Sequence, residues 1–173
     1  MIPSVATSLL ACLLLVGMAP PAASAADTRP QAKEDKITKV PTGDPAMAVA
    51  YERAKSTLPA FKDSLTHPTA TMARFAVKVG LPSPQGTEFV WLASPVLQDG
   101  KVRGVINNQI EYATDYRTGQ RVEFPDTEVV DWMYMDADKM KGNFTLCAIV
   151  TKLTKQEQRE FAQEYSIDCG PPK

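Results

Sequence analysis

Apolar and polar residues alternate over several short stretches of the chain, as they do in β-strands whose two faces meet different surroundings. The clearest stretch is residues 129–135, where one strand face would carry Val130, Trp132 and Tyr134. Asp131 falls on the other face, among methionines. A polar turn follows, and the apolar run 144–150 is predicted to return as the second strand of a hairpin.

Other strands are predicted at residues 74–79, 89–92, 102–106 and 121–124. The dipeptide Asp99-Gly100 favours a tight turn, so the second and third of these strands should form a hairpin. The Leu81-Pro-Ser-Pro stretch should break the first strand. Pro95 cannot donate to a central ladder and is expected at a bulge or an edge. Residues 110–116 are ambiguous between a short helix and an irregular crossing.

A helical pattern precedes the strands. Asp44 can cap a helix whose first residue is Pro45, and His67-Pro68 should end it. Pro59 is expected to kink or split this helix, with Thr57 capping the second segment. Its apolar residues recur every three or four positions and are Met47, Ala50, Tyr51, Ala54, Leu58, Phe61 and Leu65.

A second helix is predicted at the other end of the chain, where Thr154 and Glu157 form a capping box. The order of elements is therefore helix, five or six short antiparallel strands, helix. This order indicates an α+β domain in which the N-terminal helix packs on a bent antiparallel sheet, with a half-barrel as the alternative form of that sheet.

The N-terminus has the pattern of an export signal. Residues 2–20 are apolar or small without one charge, and Ala23-Ser24-Ala25 suits signal peptidase. We expect a signal peptide at 1–25, a disordered tether at 26–43 and one domain at 44–169, which places the protein in the periplasm or outside the cell. The open alternatives are an uncleaved membrane anchor and a lipoprotein acylated at Cys12. No membrane span is expected after signal cleavage.

Composition narrows the class of partner. The chain has 173 residues, 44% hydrophobic and 23% charged, with a formal net charge of -1. Acidic and basic residues are mixed along the sequence, so no basic face for nucleic acid is predicted. The mature chain would keep Cys147 and Cys169, which are expected to form a disulfide in an oxidising compartment.

The sequence offers little catalytic chemistry. It contains no nucleophile elbow, no zinc-protease motif and no phosphate-binding glycine loop. His67, the single histidine, is a weak candidate general base and is better explained as a surface residue. Carboxylates are concentrated between residues 123 and 138, but Met140 stands where a calcium loop needs an oxygen ligand. No metal site and no cofactor are predicted.

Asp131 is the second weak catalytic candidate, because it lies among apolar side chains. If it is buried, it needs a partner such as Arg103 or Arg74, or the backbone amides of a turn. The structural explanation, a carboxylate that fixes a loop, is preferred to a catalytic acid.

Binding residues are expected in the least regular segment of the chain. Tyr112, Asp115, Tyr116 and Arg117 combine the tyrosines and arginine that are common at interface hot spots. We therefore expect a non-enzymatic protein-binding module with a partner in the cell envelope, for example an immunity-type or accessory protein. The alternative is a periplasmic hydrolase that uses carboxylates.

Several segments together resemble the YegJ-like family of bacterial proteins, which carry a domain of unknown function (family 2314). They are Ala54–Phe61, Phe75–Val79, Glu88–Trp91, Gly104–Asn107, Asp131–Tyr134 and Gly142–Thr145. The resemblance covers roughly residues 45–150. It implies a small, often exported α+β protein and brings no established catalytic residue.

Overall fold

The computed structural model describes residues 43–167 and Cys169. The predicted signal peptide, Cys12 and all but the last residue of the predicted tether lie outside the described residues. Among the helices of the described part, none is long and apolar enough to cross a membrane.

Helix α1 spans Pro45–Thr66. The Asp44 side chain accepts a hydrogen bond from the Ala46 N–H (2.9 Å), which confirms the predicted cap. The predicted split at Pro59 is wrong, because the helix runs through this residue and the Thr57 hydroxyl donates to the Arg53 carbonyl (2.6 Å) instead of capping a new segment. Pro59 and the residue one turn before it, Lys55, are exposed, so water can reach the carbonyl that the proline leaves without a donor.

Six antiparallel strands form one sheet in the order β4-β3-β2-β1-β5-β6. They are β1 (Met72–Ser83), β2 (Gly86–Gln98), β3 (Lys101–Ile106), β4 (Arg121–Pro125), β5 (Asp131–Asp136) and β6 (Lys139–Gly142). Strands β4 and β6 are the two edges, so the sheet is not closed. With helices before and after it, this sheet confirms the predicted α+β class.

Two register shifts bend the central strands. One interrupts the β1 and β5 pairing between Ala73 and Ala76, and the other interrupts the β2 and β3 pairing between Ala93 and Val96. The second shift confirms the expected bulge at Pro95. The predicted break in the Leu81-Pro-Ser-Pro stretch lies at its end, because β1 continues to Ser83, where a tight turn leads directly into β2.

Residues 144–150 are not the predicted return strand. They form helix α2 (Phe144–Val150), and the strand that returns from β5 is the short β6. The run is apolar at almost every position, so it lacks the alternation that distinguishes a strand from a buried helix. Leu146 and Val150, four residues apart, pack together in one cluster with Phe161 and Ile167.

Helix α3 spans Lys155–Tyr165 and begins with the predicted capping box, in which Thr154 and Glu157 bond reciprocally. The predicted disulfide between Cys147 and Cys169 is present, with Cα atoms 5.3 Å apart. It joins helix α2, rather than a strand, to the end of the chain.

The main core lies between helix α1 and one face of the sheet, which we call the covered face. Phe61 of α1 is fully buried and stacks on Trp132, with ring centroids 5.1 Å apart. The Trp132 indole N–H also donates to the Ala54 carbonyl (3.1 Å). The strands contribute the fully buried residues Val77, Val79, Leu81, Val90, Leu92 and Val102.

Candidate functional site

The opposite side of the sheet, which we call the second face, carries several polar side chains of the central strands together with the Trp91 ring. Lys78 of β1 lies directly between Trp91 of β2 and Asp131 of β5 in the strand register. Its ammonium group is 4.5 Å from the centre of the Trp91 ring and donates to the Thr145 hydroxyl (2.7 Å). One row of side chains therefore crosses three strands.

Asp131 is fully buried and satisfied mainly by the backbone. Its Oδ1 accepts from the N–H groups of Trp132 (2.9 Å) and Phe144 (3.2 Å). Its Oδ2 accepts from the N–H (2.8 Å) and hydroxyl (2.7 Å) of Thr145. Of the partners proposed from the sequence, these hydrogen bonds match the backbone amides.

Burial raises the pKa of the Asp131 carboxyl, and the positive charge of Lys78 and the hydrogen bonds from Thr145 and Trp132 oppose that shift. The Lys78, Thr145 and Asp131 chain has the elements of an activated hydroxyl. However, Thr145 is only 2% exposed and Asp131 is fully buried, so a substrate cannot reach them. The geometry instead suits a carboxylate that fixes the start of helix α2 to strand β5.

A second buried carboxylate was missed in the sequence. Glu88 at the start of β2 is 7% exposed and accepts three backbone hydrogen bonds, from Glu111 (2.8 Å), Tyr112 (3.0 Å) and Ala113 (2.8 Å). It therefore shapes the irregular segment that follows β3. The available signal was an acidic residue at the head of the apolar run 88–92, because such a residue needs donors once it is buried.

The four predicted binding residues lie on this segment in different surroundings. Asp115 and Arg117 are exposed, whereas Tyr112 and Tyr116 are half-buried. Tyr116 packs against the main core, and the Tyr112 hydroxyl donates to the Thr87 carbonyl (3.1 Å). Burial also raises the pKa of Tyr112, as do the charges of Glu88 and Glu111. The two charged residues, Asp115 and Arg117, are thus the most accessible part of the predicted site.

His67 lies apart from all of these groups, at the C-terminal end of α1. It is exposed, and its Nδ1 is 3.2 Å from Asp63 Oδ1. The acidic residues 123–138 are also separated. Glu123 pairs with Lys101 and Arg103, which lower its pKa, Asp126 pairs with Lys62, and Asp136 accepts from Thr71. Within residues 43–167, no three His, Cys, Asp or Glu side chains are grouped to hold a metal ion.

A pocket of about 700 Å³ opens on the second face, where Trp91 of the Lys78 row lines it and Lys78 and Asp131 do not. Strands β1, β2, β5 and β6 form it together with Leu65 near the end of α1, the loop after β3 and the end of α3. Its mostly apolar lining includes Trp91, Pro95 and three methionines, Met133, Met135 and Met140. Its polar and charged lining consists of Arg74, Ser94, Asn107, Asn108, Asn143 and Glu164.

Asn143 is the most unusual of these residues. It has left-handed backbone geometry (φ 53°, ψ 46°) and is 1% exposed. Its amide nitrogen contacts the Met140 sulfur (3.3 Å), but its Oδ1 accepts no hydrogen bond from the described residues. A buried acceptor without a donor costs about 1–3 kcal/mol, so a ligand or water that donates here would be favoured.

Known proteins resemble this chain over most of the described domain. A family model described as "Uncharacterized protein conserved in bacteria (DUF2314)" matches residues 44–169. The chain is 29% identical over 116 residues to "Uncharacterized protein YegJ" of Escherichia coli (strain K12), covering 67% of this chain and 74% of that protein. It is also 28% identical over 85 residues to a "Putative ankyrin repeat protein" of Neisseria meningitidis serogroup B, covering 49% of this chain and 34% of that protein. No solved structure gives a significant match.

Proposed function

The chain belongs to DUF2314, a family of uncharacterized proteins conserved in bacteria, and from this premise we propose that it is an exported, non-enzymatic binding protein of the cell envelope. Its binding surface is the pocket on the second face together with the exposed charged residues of the neighbouring loop, Asp115 and Arg117. Its partner is another envelope protein.

The observation that carries this proposal is the pocket itself. It is concave and mostly apolar, and one of its lining residues, Asn143, has a buried side-chain oxygen that accepts no hydrogen bond from the described residues. Binding pockets typically combine an apolar lining with a few polar groups that fix orientation. Methionines suit this role because their flexible thioethers adapt to the shape of a partner.

The neighbouring loop extends this surface. Asn108 lines the pocket, and its carbonyl accepts a hydrogen bond from the Thr118 hydroxyl (2.6 Å). The loop that carries Asp115 and Arg117 therefore returns to the pocket rim. The ankyrin repeats named in one relative also agree with protein binding, because stacked repeats form extended binding surfaces.

The hydrolase alternative has less support. Asp131 and Glu88, the buried carboxylates, are each engaged with backbone N–H groups, and neither lines the pocket. A general acid or base must come within hydrogen-bond reach of the reacting group. Glu164 is the one carboxylate among the pocket residues, and it has no second carboxylate or histidine beside it in that lining.

Site-specific photocrosslinking in cells tests the binding surface. A photoreactive amino acid replaces Asp115 in one variant and Val49 in a matched control, because Val49 is 68% exposed on helix α1. We expect one discrete protein adduct from position 115 and none from position 49. Adducts of equal size and yield from both positions, or no adduct from position 115 in a folded, abundant protein, would contradict a specific partner surface.

Intact-mass analysis of the fractionated protein tests the export proposal separately. The small residues before position 26 predict a periplasmic form that lacks residues 1–25. A full-length mass in the membrane fraction would instead indicate an uncleaved anchor. A truncated form whose first residue is an acylated Cys12 would indicate a lipoprotein.

A further inference from the structure

The methionines of the pocket form one wall of soft ligand atoms. We propose that Met133, Met135 and Met140 bind a soft monovalent cation, Cu(I) or Ag(I), through their thioether sulfurs. This inference goes beyond the proposed protein partner and does not depend on it. The sequence predicted no metal site because it lacks a zinc-protease motif and a complete calcium loop, and neither observation concerns methionine ligands.

Strand register brings the three side chains to the same side of the sheet. Met135 of β5 lies directly opposite Met140 of β6, and paired residues of antiparallel strands point to the same face with Cβ atoms about 5 Å apart. Met133, two residues before Met135, shares that face because strand side chains alternate. All three methionines line the same pocket.

One thioether is already oriented. The Asn143 amide nitrogen contacts the Met140 sulfur at 3.3 Å, and Asn143 is held between β6 and α2 with its N–H donating to the Trp132 carbonyl (2.8 Å). A thioether sulfur has two lone pairs, so this contact leaves one for a metal ion. Outer-shell hydrogen bonds of this kind commonly fix metal ligands.

The chemistry of the donor set selects the ion. Thioethers are neutral, soft and polarizable, and soft sulfur ligands favour Cu(I), whereas carboxylates and carbonyls suit Mg²⁺, Ca²⁺ and Mn²⁺. In this largely apolar pocket, a single positive charge also loses less hydration than a double charge. The formal charges of Arg74 and Glu164, which also line the pocket, offset each other.

A titration with the metal ions alone tests the inference. The disulfide-bonded protein is titrated with Ag(I), and with Cu(I) in competition with a colorimetric chelator, and stoichiometry is read by native mass spectrometry. The test variant changes all three methionines to leucine (M133L, M135L and M140L), which conserves side-chain volume. The matched control changes Met47 and Met72. Met47 lies on α1, and Met72 is paired with Asp136, so it points away from the face of Met135.

We expect the wild type and the control to bind one equivalent of Ag(I) or Cu(I). The triple variant should bind at least about 100-fold more weakly, because loss of an outer-shell partner alone can weaken metal binding by up to about 100-fold. The methyl NMR signals of Met133, Met135 and Met140 should shift with Ag(I), whereas those of Met47 and Met72 stay in place. Equal affinity in wild type and triple variant, or no binding by folded wild type, would overturn the inference. If the triple variant is unfolded, the methyl shifts of the wild type decide alone. A negative result would leave the crosslink from position 115 unaffected, so the two proposals fail separately.

Discussion

The two faces of the sheet are built from the same strands but differ in what covers them. The covered face is filled by fully buried aliphatic residues under helix α1, such as Val79 and Leu92. The second face carries Lys78, Trp91 and the methionines, and much of it borders an open pocket. Alternation along a strand thus places the aliphatic core residues on one face and most of the pocket-lining residues on the other.

Each face also has one buried carboxylate with a structural task. Glu88, whose neighbours Val90 and Leu92 face the core, holds the loop 111–113, and Asp131 on the second face holds the start of helix α2. In both cases backbone N–H groups supply the donors. The second face is therefore not uniformly tolerant of change, because Asp131 lies beneath helix α2 and not in the pocket.

The largest loss of stability is expected on the covered face. Leu92→Ala leaves a cavity in the core and should lower the free energy of unfolding by about 2–5 kcal/mol. Met135→Leu, on the second face of β5, conserves volume and should cost less than about 1.5 kcal/mol. Urea denaturation measures both variants. Equal losses of unfolding free energy in the two variants would contradict the placement of the main stabilising core on the covered face.

Asp131→Asn should be the most damaging change on the second face. The asparagine keeps one carbonyl oxygen where the carboxylate offers two. Either the donors to Oδ1, the N–H groups of Trp132 and Phe144, or the donors to Oδ2, the N–H and hydroxyl of Thr145, therefore lose their acceptor. We expect a loss of about 3 kcal/mol in the free energy of unfolding. Urea denaturation and circular dichroism provide the measurement. A variant with wild-type stability would show that Asp131 has no structural role and would return it to the list of catalytic candidates.

Glu88→Gln should have a smaller and more local effect, of about 2 kcal/mol. The variant keeps one acceptor oxygen for three donors, so the amides of Glu111, Tyr112 and Ala113 should exchange faster with solvent. Hydrogen exchange resolved by residue measures this, with the amides of β1 and β5 as internal controls. Unchanged exchange at residues 111–113 would show that other contacts hold the loop.

The smallest effect is expected at α3, which contributes Glu164 and Tyr165 to the pocket. Hydrogen bonds from the Thr154 hydroxyl and N–H lower the pKa of Glu157 below its ordinary value of 4.5. The native state thus binds this proton more weakly than the unfolded state, so the stabilisation is complete above the unfolded pKa and is lost as pH falls through the folded pKa. In Glu157→Gln this contribution to the pH dependence of unfolding should disappear. Matching curves for wild type and variant between pH 3 and 6 would refute the assignment.

The predictable parts of the fold were those set by neighbours in the sequence. Asp44 and Thr154 marked helix starts, and Asp99-Gly100 marked a hairpin, because caps and turns depend on a few adjacent residues. The run 144–150 was assigned wrongly because its nearly continuous apolar residues fit a short buried helix as well as a strand. Its helical state depends on distant contacts, including the Asp131 carboxylate at its first turn.

The candidate site was largely hidden in the sequence for the same reason. Met135 and Met140 become neighbours only through strand pairing. Asn143 is unusual only in the folded structure, where its buried Oδ1 accepts no hydrogen bond from the described residues. Glu88 acts on residues more than twenty positions away. The sequence did indicate that Asp131 lies among apolar neighbours, because strand side chains alternate between two faces. It also indicated the disulfide between Cys147 and Cys169, because paired cysteines of an exported protein are usually oxidised.

Filling the pocket tests the central claim, that the second face is a ligand-binding surface, most directly. Ala93 lines the pocket, and Ala93→Phe would occupy part of its volume of about 700 Å³ with a side chain that faces away from the core. In cells, the variant is combined with the photocrosslinker at position 115, and its melting temperature is measured in parallel. We predict that the adduct is lost while the melting temperature stays within a few degrees of the wild type. A folded variant that gives the same adduct at the same yield would contradict the claim.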